Sequence, residues 1–377
     1  MKIVALVLVA LTGALGVVGE GNAPLSAPRV VLELPPSAGN PRNSEGDTIR
    51  LKDGGVLYIY SRYTKGSGAD HDPADLVACR SADGGRTWKK DVATVVPNEG
   101  ACNVMSVSLV RMANGDIGLF YLRKNSAEDN RVWLRRSSDE GLTWSAPHLC
   151  VPEPGYYVLN NCRVVRLKSG RLVLPLCRHE AKKGRISDWA GKLVCEISDD
   201  DGRTWRRAQE PFATFDTAGK RVTTQEPGVI ELKDGRALMY ARTRHGRQWF
   251  YYSSDNCQTW TKGEPGTLWG PCSPATITRL KSGALFAVWN DHETFPEYAK
   301  QGPGWASGTR RPLSVALSYD EGRTWVNRKV VEDLPKGWYC YFSVLELEDE
   351  ILLSSCAEKC LRHSRLYRIP LKWLTGK

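Results

Sequence analysis

The sequence predicts an all-β fold, a six-bladed β-propeller of four-stranded antiparallel blades. Two interlocking repeats and the absence of helical periodicity predict it. The first repeat is S-x-D-x-G-x-T-W. It is written SADGGRTW (81–88), SSDEGLTW (137–144), SDDDGRTW (198–205), SSDNCQTW (253–260) and SYDEGRTW (318–325). The second is a hairpin: LKDGGVLYIY (51–60), RMANGDIGLFY (111–121), LKSGRLVLPL (167–176), LKDGRALMYA (232–241), LKSGALFAVW (280–289) and LEDEILLSSC (347–356). Six hairpins with five interleaved motifs imply six units of four strands, A to D.

Each element follows from its residues. The hairpin joins strand A to strand B through a polar turn whose Gly supplies the positive φ of a tight turn; the last copy lacks it. Strand C ends in the motif (LVACRS, VWLRRS, LVCEIS, FYYSS, SVALS) and turns into D. There Asp accepts hydrogen bonds from the turn's own N–H groups, Gly takes the left-handed position and Trp packs inward. Cys257 replaces that Gly in the fourth copy, so that turn is expected to be distorted. The sixth unit lacks the motif, and RVVLELP (29–35) is expected to pair with SRLYRIPL (364–371) as its outer strand.

The chain opens with MKIVALVLVALTGALGVVGEGNA: a lysine, an apolar run to about Val18, then small residues to Ala23. This reads as a secretory signal peptide at 1–23, leaving 24–377 as one propeller domain, secreted or periplasmic, with no membrane insertion after cleavage. The formal charge is +10, but Lys and Arg are dispersed, with no nucleic-acid module, so an anionic glycan suits the charge better than a nucleic acid. None of the eleven cysteines forms a C-x-x-C pair. They read as small buried apolar residues, with no pairing deducible from sequence.

In such a meander the A–B and C–D turns share one face, and the long B–C loops (63–75 and 290–311) share the other with the starts of the A strands. That second face collects Arg42, Glu45, Asp47, Asn160, Asn161, Gln225, Glu226, Tyr339 and Tyr341 from strands A. Strands B bring Arg62, Arg123, Arg178, His179, Arg242, His245 and His292, and loops B–C bring Asp70, His71, Asp72, Arg310 and Arg311. Arginine forks suit a carboxylate and acidic side chains suit proton transfer. The histidines lie in different blades without metal-ligand spacing, so no metal and no other cofactor is expected.

The five repeated motifs resemble the Asp boxes of the sialidase (neuraminidase) superfamily, and the resemblance covers nearly the whole chain after residue 23. TQEPGVIELKDGRALMYAR (224–242) is similar to the family stretch in which a Glu opens a strand and an Arg closes the hairpin. RPLSVALSYDEGRTW (311–325) is similar to the stretch with an Arg before the last Asp box. The resemblance implies a retaining exo-glycosidase acting on a terminal acidic sugar of a glycan or glycoconjugate, sialic acid by default. It implies Tyr341 as nucleophile, Glu226 as its base and Asp72 as acid/base, with Asp70 as the alternative. Arg242 and Arg311 would hold the substrate carboxylate, and Arg62 resembles an arginine that lines the family's pocket. Apart from the resemblance, the positions of His71 and His292 on this face suit sugar hydrogen bonding or loop packing, and Asn161 either lines the pocket or caps a turn. Tyr339 lies one alternation from Tyr341 as its alternative. The sequence departs at the first blade: PRNSEGD stands where the family has Arg-Ile-Pro, Glu45 falls at the arginine's place, and Arg42 serves only with a shifted register. A hydrolase for another acidic sugar, such as a uronic acid, and a non-catalytic glycan-binding propeller are the other readings.

Overall fold

A computed structural model describes residues 26–302, 306–358 and 361–376. The expected signal peptide at 1–23 lies outside them. Six antiparallel blades follow one another along the chain, the second and third joined into one nine-stranded sheet where Tyr156 pairs in parallel with Asn130. The first runs Arg42–Arg50, Val56–Tyr63, Ala74–Ser81 and Lys89–Val96; the second Asn103–Arg111, Ile117–Lys124, Asn130–Ser137 and His148–Leu149. The third has a split inner strand, Tyr156–Val158 and Val165–Arg166, then Leu172–Lys182, Arg185–Ser198 and Arg206–Arg207. Blade four is Thr224–Glu231, Ala237–Thr243, Arg247–Ser253 and Glu264–Trp269; blade five is Thr276–Arg279, Leu285–Trp289, Leu313–Ser318 and Val326–Glu332. Blade six is Gly337–Glu346, Glu350–Glu358 and His363–Pro370, and the strand Arg29–Leu34 completes it, Arg29 facing Arg368 and Leu34 facing Ser364.

The core lies between blades. Strands buried on both sides interleave side chains with the next blade, so each adjacent pair of blades encloses its own apolar cluster. Leu57, Leu76, Leu109 and Leu119 join blades one and two, and Leu238, Phe250, Ile277 and Leu285 join four and five. The motif tryptophans pack at these seams, Trp205 edge-on to Phe120 at 5.9 Å. A cavity left by removing such a ring costs about 3–5 kcal/mol.

The motif is a charged corner. In the first copy Asp83 Oδ1 accepts from the N–H groups of Arg86 and Thr87, while Ser81 Oγ donates to Asp83 and accepts from Gly85 N–H. Contrary to the expectation from sequence, Cys257 does not distort the fourth copy. It takes φ +65°, donates its N–H to Ser253 Oγ at 3.0 Å, and Asp255 still receives Gln258 and Thr259. The acid after the Asp reaches the neighbouring blade: Glu140 receives the Lys52 N–H and pairs with Arg111, and Glu321 receives the Lys233 N–H and pairs with Arg279. These staples lie on the A–B turn face, opposite the B–C loops. The ten described cysteines are free, eight of them buried.

Candidate active site

On the B–C face, inner strands turn residues toward the propeller axis by one repeated device. The pairing register slips between Ser44 and Asp47, Met105 and Ser108, Gln225 and Gly228, and Cys340 and Ser343. Within these bulges Glu45, Ser106, Glu226 and Tyr341 take φ of +56°, +60°, +47° and +59°. Left-handed φ on bulky residues is strain of order 1–3 kcal/mol each, and it re-aims their side chains.

Tyr341 donates its OH to Glu226 Oε1 at 3.3 Å, and Glu226 Oε2 pairs with Arg242 Nη1 at 2.7 Å. Arg242 Nε touches Cys272 Sγ. Burial drives the Tyr341 phenol well above its ordinary pKa; Glu226 and Glu45 raise it further, against Arg310 and Arg242. Arg310, 2% exposed, lies 5.8 Å from the Tyr341 ring and donates Nη2 to the Cys272 carbonyl. Among the described residues its Nε and Nη1 have no hydrogen-bond partner.

A second cluster faces this one from blades one and two. Arg42 is buried, stacks 4.5 Å over Tyr63, and donates to Ser44 Oγ, the Gly68 carbonyl, Asp70 Oδ1 at 2.5 Å and Glu45 Oε1 at 2.8 Å. Glu45 Oε2 accepts from Ser106 Oγ at 3.0 Å. Burial pushes Glu45 up to about 6, with Arg42 opposing. Burial would raise Asp70 too, but Arg42 and Lys124 outweigh it and hold it at about 2. The Asp70 side chain is nonetheless 60% exposed, the most open carboxylate of this cluster. Lys124 is buried and donates to the Asp70 carbonyl. Four cations, Arg42, Lys124, Arg242 and Arg310, thus face three carboxylates.

Several expected residues lie elsewhere. Asp72 closes its own loop: Oδ2 accepts from the N–H groups of Ser67 and Ala69, and these bonds lower its pKa. Asp70, two residues earlier, is the acid that meets Arg42. Arg311 turns outward to Asp333 at 2.7 Å and over Tyr298, so Arg310 is the arginine beside Tyr341. Arg62 pairs with Asp91 of its blade's outer strand, away from the axis. Asn161 is wholly buried and donates to the carbonyls of Gly46 and Tyr341, tying two bulges together. Buried His292 bonds the carbonyls of Thr309 and Arg311 and so holds the arginine loop. His71 is exposed on the first loop, its pKa lowered by partial burial and by Lys124. Tyr339 is core: the bulge separates it from Tyr341, and its OH accepts the Leu334 N–H. Ser106 and Lys124 escape a reading of the sequence, since a serine and a lysine at strand ends carry no distinctive pattern.

Among the described residues no group of three or more His, Cys, Asp or Glu is placed to hold a metal ion. No described helix is long and apolar enough to cross a membrane.

A family model described as a BNR repeat-like domain matches residues 102–353. The chain is 24% identical over 354 residues to a sialidase of Bacteroides fragilis (strain YCH46), covering 86% of this chain and 61% of that protein. It is 26% identical over 316 residues to a sialidase of Micromonospora viridifaciens, covering 74% and 44%. The chain therefore spans less than two thirds of the length of these curated relatives. Among solved structures it resembles a protein of unknown function from Dyadobacter fermentans DSM 18053, with a TM-score of 0.70 and 16% identity, over 92% of this chain and all of that one. It also resembles the Trypanosoma rangeli sialidase in complex with 2,3-difluorosialic acid as a covalent intermediate, with a TM-score of 0.66 and 17% identity, over 89% and 55%. At these identities the solved structures bear on the fold alone.

Proposed function

The chain belongs to the BNR repeat-like family and is a divergent member of the sialidase superfamily, and on that premise we propose that it is an exported, retaining exo-glycosidase that removes a terminal acidic sugar from a glycan. The observation that carries this reading is the Tyr341–Glu226 contact at 3.3 Å, with Arg242 and Arg310 beside it. A neutral phenol is a poor nucleophile, and this one is held neutral by burial. It needs a base within reach, and Glu226 Oε1 is that base.

In the proposed reaction the Tyr341 oxygen attacks the anomeric carbon while its proton passes to Glu226. The glycosidic bond breaks, and Asp70 gives a proton to the leaving oxygen. Asp70 then takes a proton from water, which attacks the same carbon and breaks its bond to Tyr341; the phenol oxygen takes its proton back from Glu226, and configuration is retained through two displacements. A tyrosine suits an anionic sugar because it brings no charge of its own. Asp70 at about 2 is ionised at neutral pH and must be raised to act as an acid; burial of its exposed side chain under the bound sugar would raise it. Arg310, with two unpartnered N–H groups, and Arg242 would hold that carboxylate. Export would rest on the 1–23 segment. No cofactor enters the scheme.

The test is release of fluorophore from an α-sialoside and from other acidic glycosides by the wild-type chain, Tyr341→Phe and Glu226→Gln. Turnover that falls by roughly 10³-fold or more in both variants is the expected result. A wild-type chain that binds acidic sugars and cleaves none of them would overturn the hydrolase reading in favour of a glycan-binding propeller.

A further inference from the structure

Glu45 occupies the same structural position in blade one that Glu226 occupies in blade four and Tyr341 in blade six. All three sit at the slip in the inner strand, with left-handed φ, and all are less than a tenth exposed. Asn161 fixes the relation between two of them. Its Nδ2 reaches the carbonyl of Gly46, next to Glu45, at 2.9 Å and that of Tyr341 at 3.1 Å. Glu45 and Glu226 therefore flank Tyr341, and each charge raises the phenol's pKa.

The two sides offer a substrate opposite things. On the Glu226 side stands Arg310, whose Nε and Nη1 have no hydrogen-bond partner among the described residues. On the Glu45 side the cations are Arg42, whose three nitrogens already donate to Ser44, Gly68, Asp70 and Glu45, and buried Lys124, which donates to the Asp70 carbonyl and is offset by the charges of Asp70 and Glu45. Glu45 itself has accepting capacity left: two carboxylate oxygens offer about four lone pairs, and Arg42 and Ser106 Oγ use two. An anionic group on this side would meet Glu45 and Asp70 with no free guanidinium. A hydroxyl or amide N–H would meet an acceptor.

We infer that Glu45 sets the specificity of this site: it accepts a hydrogen bond from a donor group near the anomeric carbon of the sugar and confines the sugar's single anionic group to the Arg242–Arg310 side. This rests on the glycosidase reading above and narrows it. The favoured ligand is a monoanionic sugar with a hydroxyl on the carbon next to the anomeric centre, as in a uronic acid. A sugar with a bare methylene there, as in a sialic acid, is disfavoured.

The experiment compares the wild type with Glu45→Gln and Glu45→Ala on a fluorogenic glucuronide and a fluorogenic α-sialoside. Calorimetric binding of free glucuronic acid and N-acetylneuraminic acid runs beside it. Glu45→Gln keeps an acceptor for Arg42, so it reports the charge even if the alanine variant fails to fold. The preference for glucuronide over sialoside, in turnover or in binding, is expected to fall by about 10- to 100-fold in the variants, the size of a lost hydrogen bond to a charged group. An unchanged preference, or no measurable binding of either sugar, overturns the inference. Binding that shows the shift without turnover in the wild type sinks the hydrolase reading and leaves Glu45's role standing.

Discussion

The pocket contains two buried Arg–Glu pairs of nearly the same geometry and unlike surroundings. Arg242 and Glu226 meet at 2.7 Å in blade four; Arg42 and Glu45 meet at 2.8 Å in blade one. Both glutamates sit at a bulge with positive φ. They differ in what the second carboxylate oxygen touches: the Tyr341 phenol for Glu226, the Ser106 hydroxyl for Glu45. They differ also in the next cation: Arg310 has unpartnered N–H groups, whereas Arg42 is spent on Asp70 and the loop carbonyl of Gly68. A fold built from repeats thus presents one device twice, and the neighbours decide what each copy can do. In the proposed reaction one copy activates the nucleophile, and the other holds the acid and restricts which sugars bind.

The sharpest way to break this comparison is through the acid that the blade-one pair holds. Asp70→Asn removes the carboxylate that meets Arg42, and kcat on an acidic glycoside is expected to fall by about 10²- to 10⁴-fold. Asp72→Asn leaves that group in place and alters only a loop turn, so kcat should change by no more than about threefold. If the two variants lose activity in the reverse order, Asp72 is the acid and the loop is arranged differently with substrate bound.

Arg310 and Arg311 divide the other half in the same manner. Arg310→Met removes the guanidinium beside Tyr341 whose Nε and Nη1 have no partner among the described residues, and KM for an acidic glycoside should rise by roughly 10²-fold, the cost of losing a buried charge-assisted contact. Arg311→Met breaks a pair with Asp333 beyond the dyad, and KM should stay within about threefold. Steady-state kinetics on both variants decides the matter; an equal rise in KM would put Arg311 in the pocket after all.

These pairs of neighbours also mark what the sequence could and could not reveal. The six hairpins, the five corners and the strand completing blade six are legible because each repeats or has an evident partner. Asp83, Asp139, Asp200, Asp255 and Asp320 do the same job five times, and a repeated job leaves a repeated spelling. Glu226 and Arg242 are legible because they open and close one hairpin, so their spacing is fixed by strand pairing. Asp70 against Asp72, and Arg310 against Arg311, are not. Both choices fall in B–C loops, where no period of two assigns a side chain to a face. The outcome depends on which carboxylate the Ser67 and Ala69 N–H groups capture, and on how His292 holds the carbonyls at 309 and 311. Tyr339 misleads for a related reason: alternation fails across a bulge, and the bulge at Tyr341 has no sequence mark.

The smallest predicted effect tests the blade-one pair without substrate. Burial raises Glu45 to about 6 from an ordinary value near 4.5, Arg42 notwithstanding. A carboxyl whose folded pKa lies above its unfolded one contributes stability below the unfolded value, and that contribution is lost as pH rises through the folded value. Between pH 4 and pH 7.5 the wild type should therefore lose about 2 kcal/mol relative to Glu45→Gln, each tenfold change in proton affinity being worth about 1.4 kcal/mol. Asp47, also raised to about 6 by burial, titrates in the same window in both proteins and cancels from the difference. Asp70 at about 2 stays ionised throughout. The glutamine variant still accepts from Arg42, so any constant offset it introduces does not alter the slope. Urea denaturation of the two proteins at several pH values measures the gap. A gap that does not move with pH would mean that Arg42 offsets the burial of Glu45 in full. The charge of Glu45 would then be as secure near pH 5 as at neutrality, and its discrimination among acidic sugars would not relax as the medium is acidified.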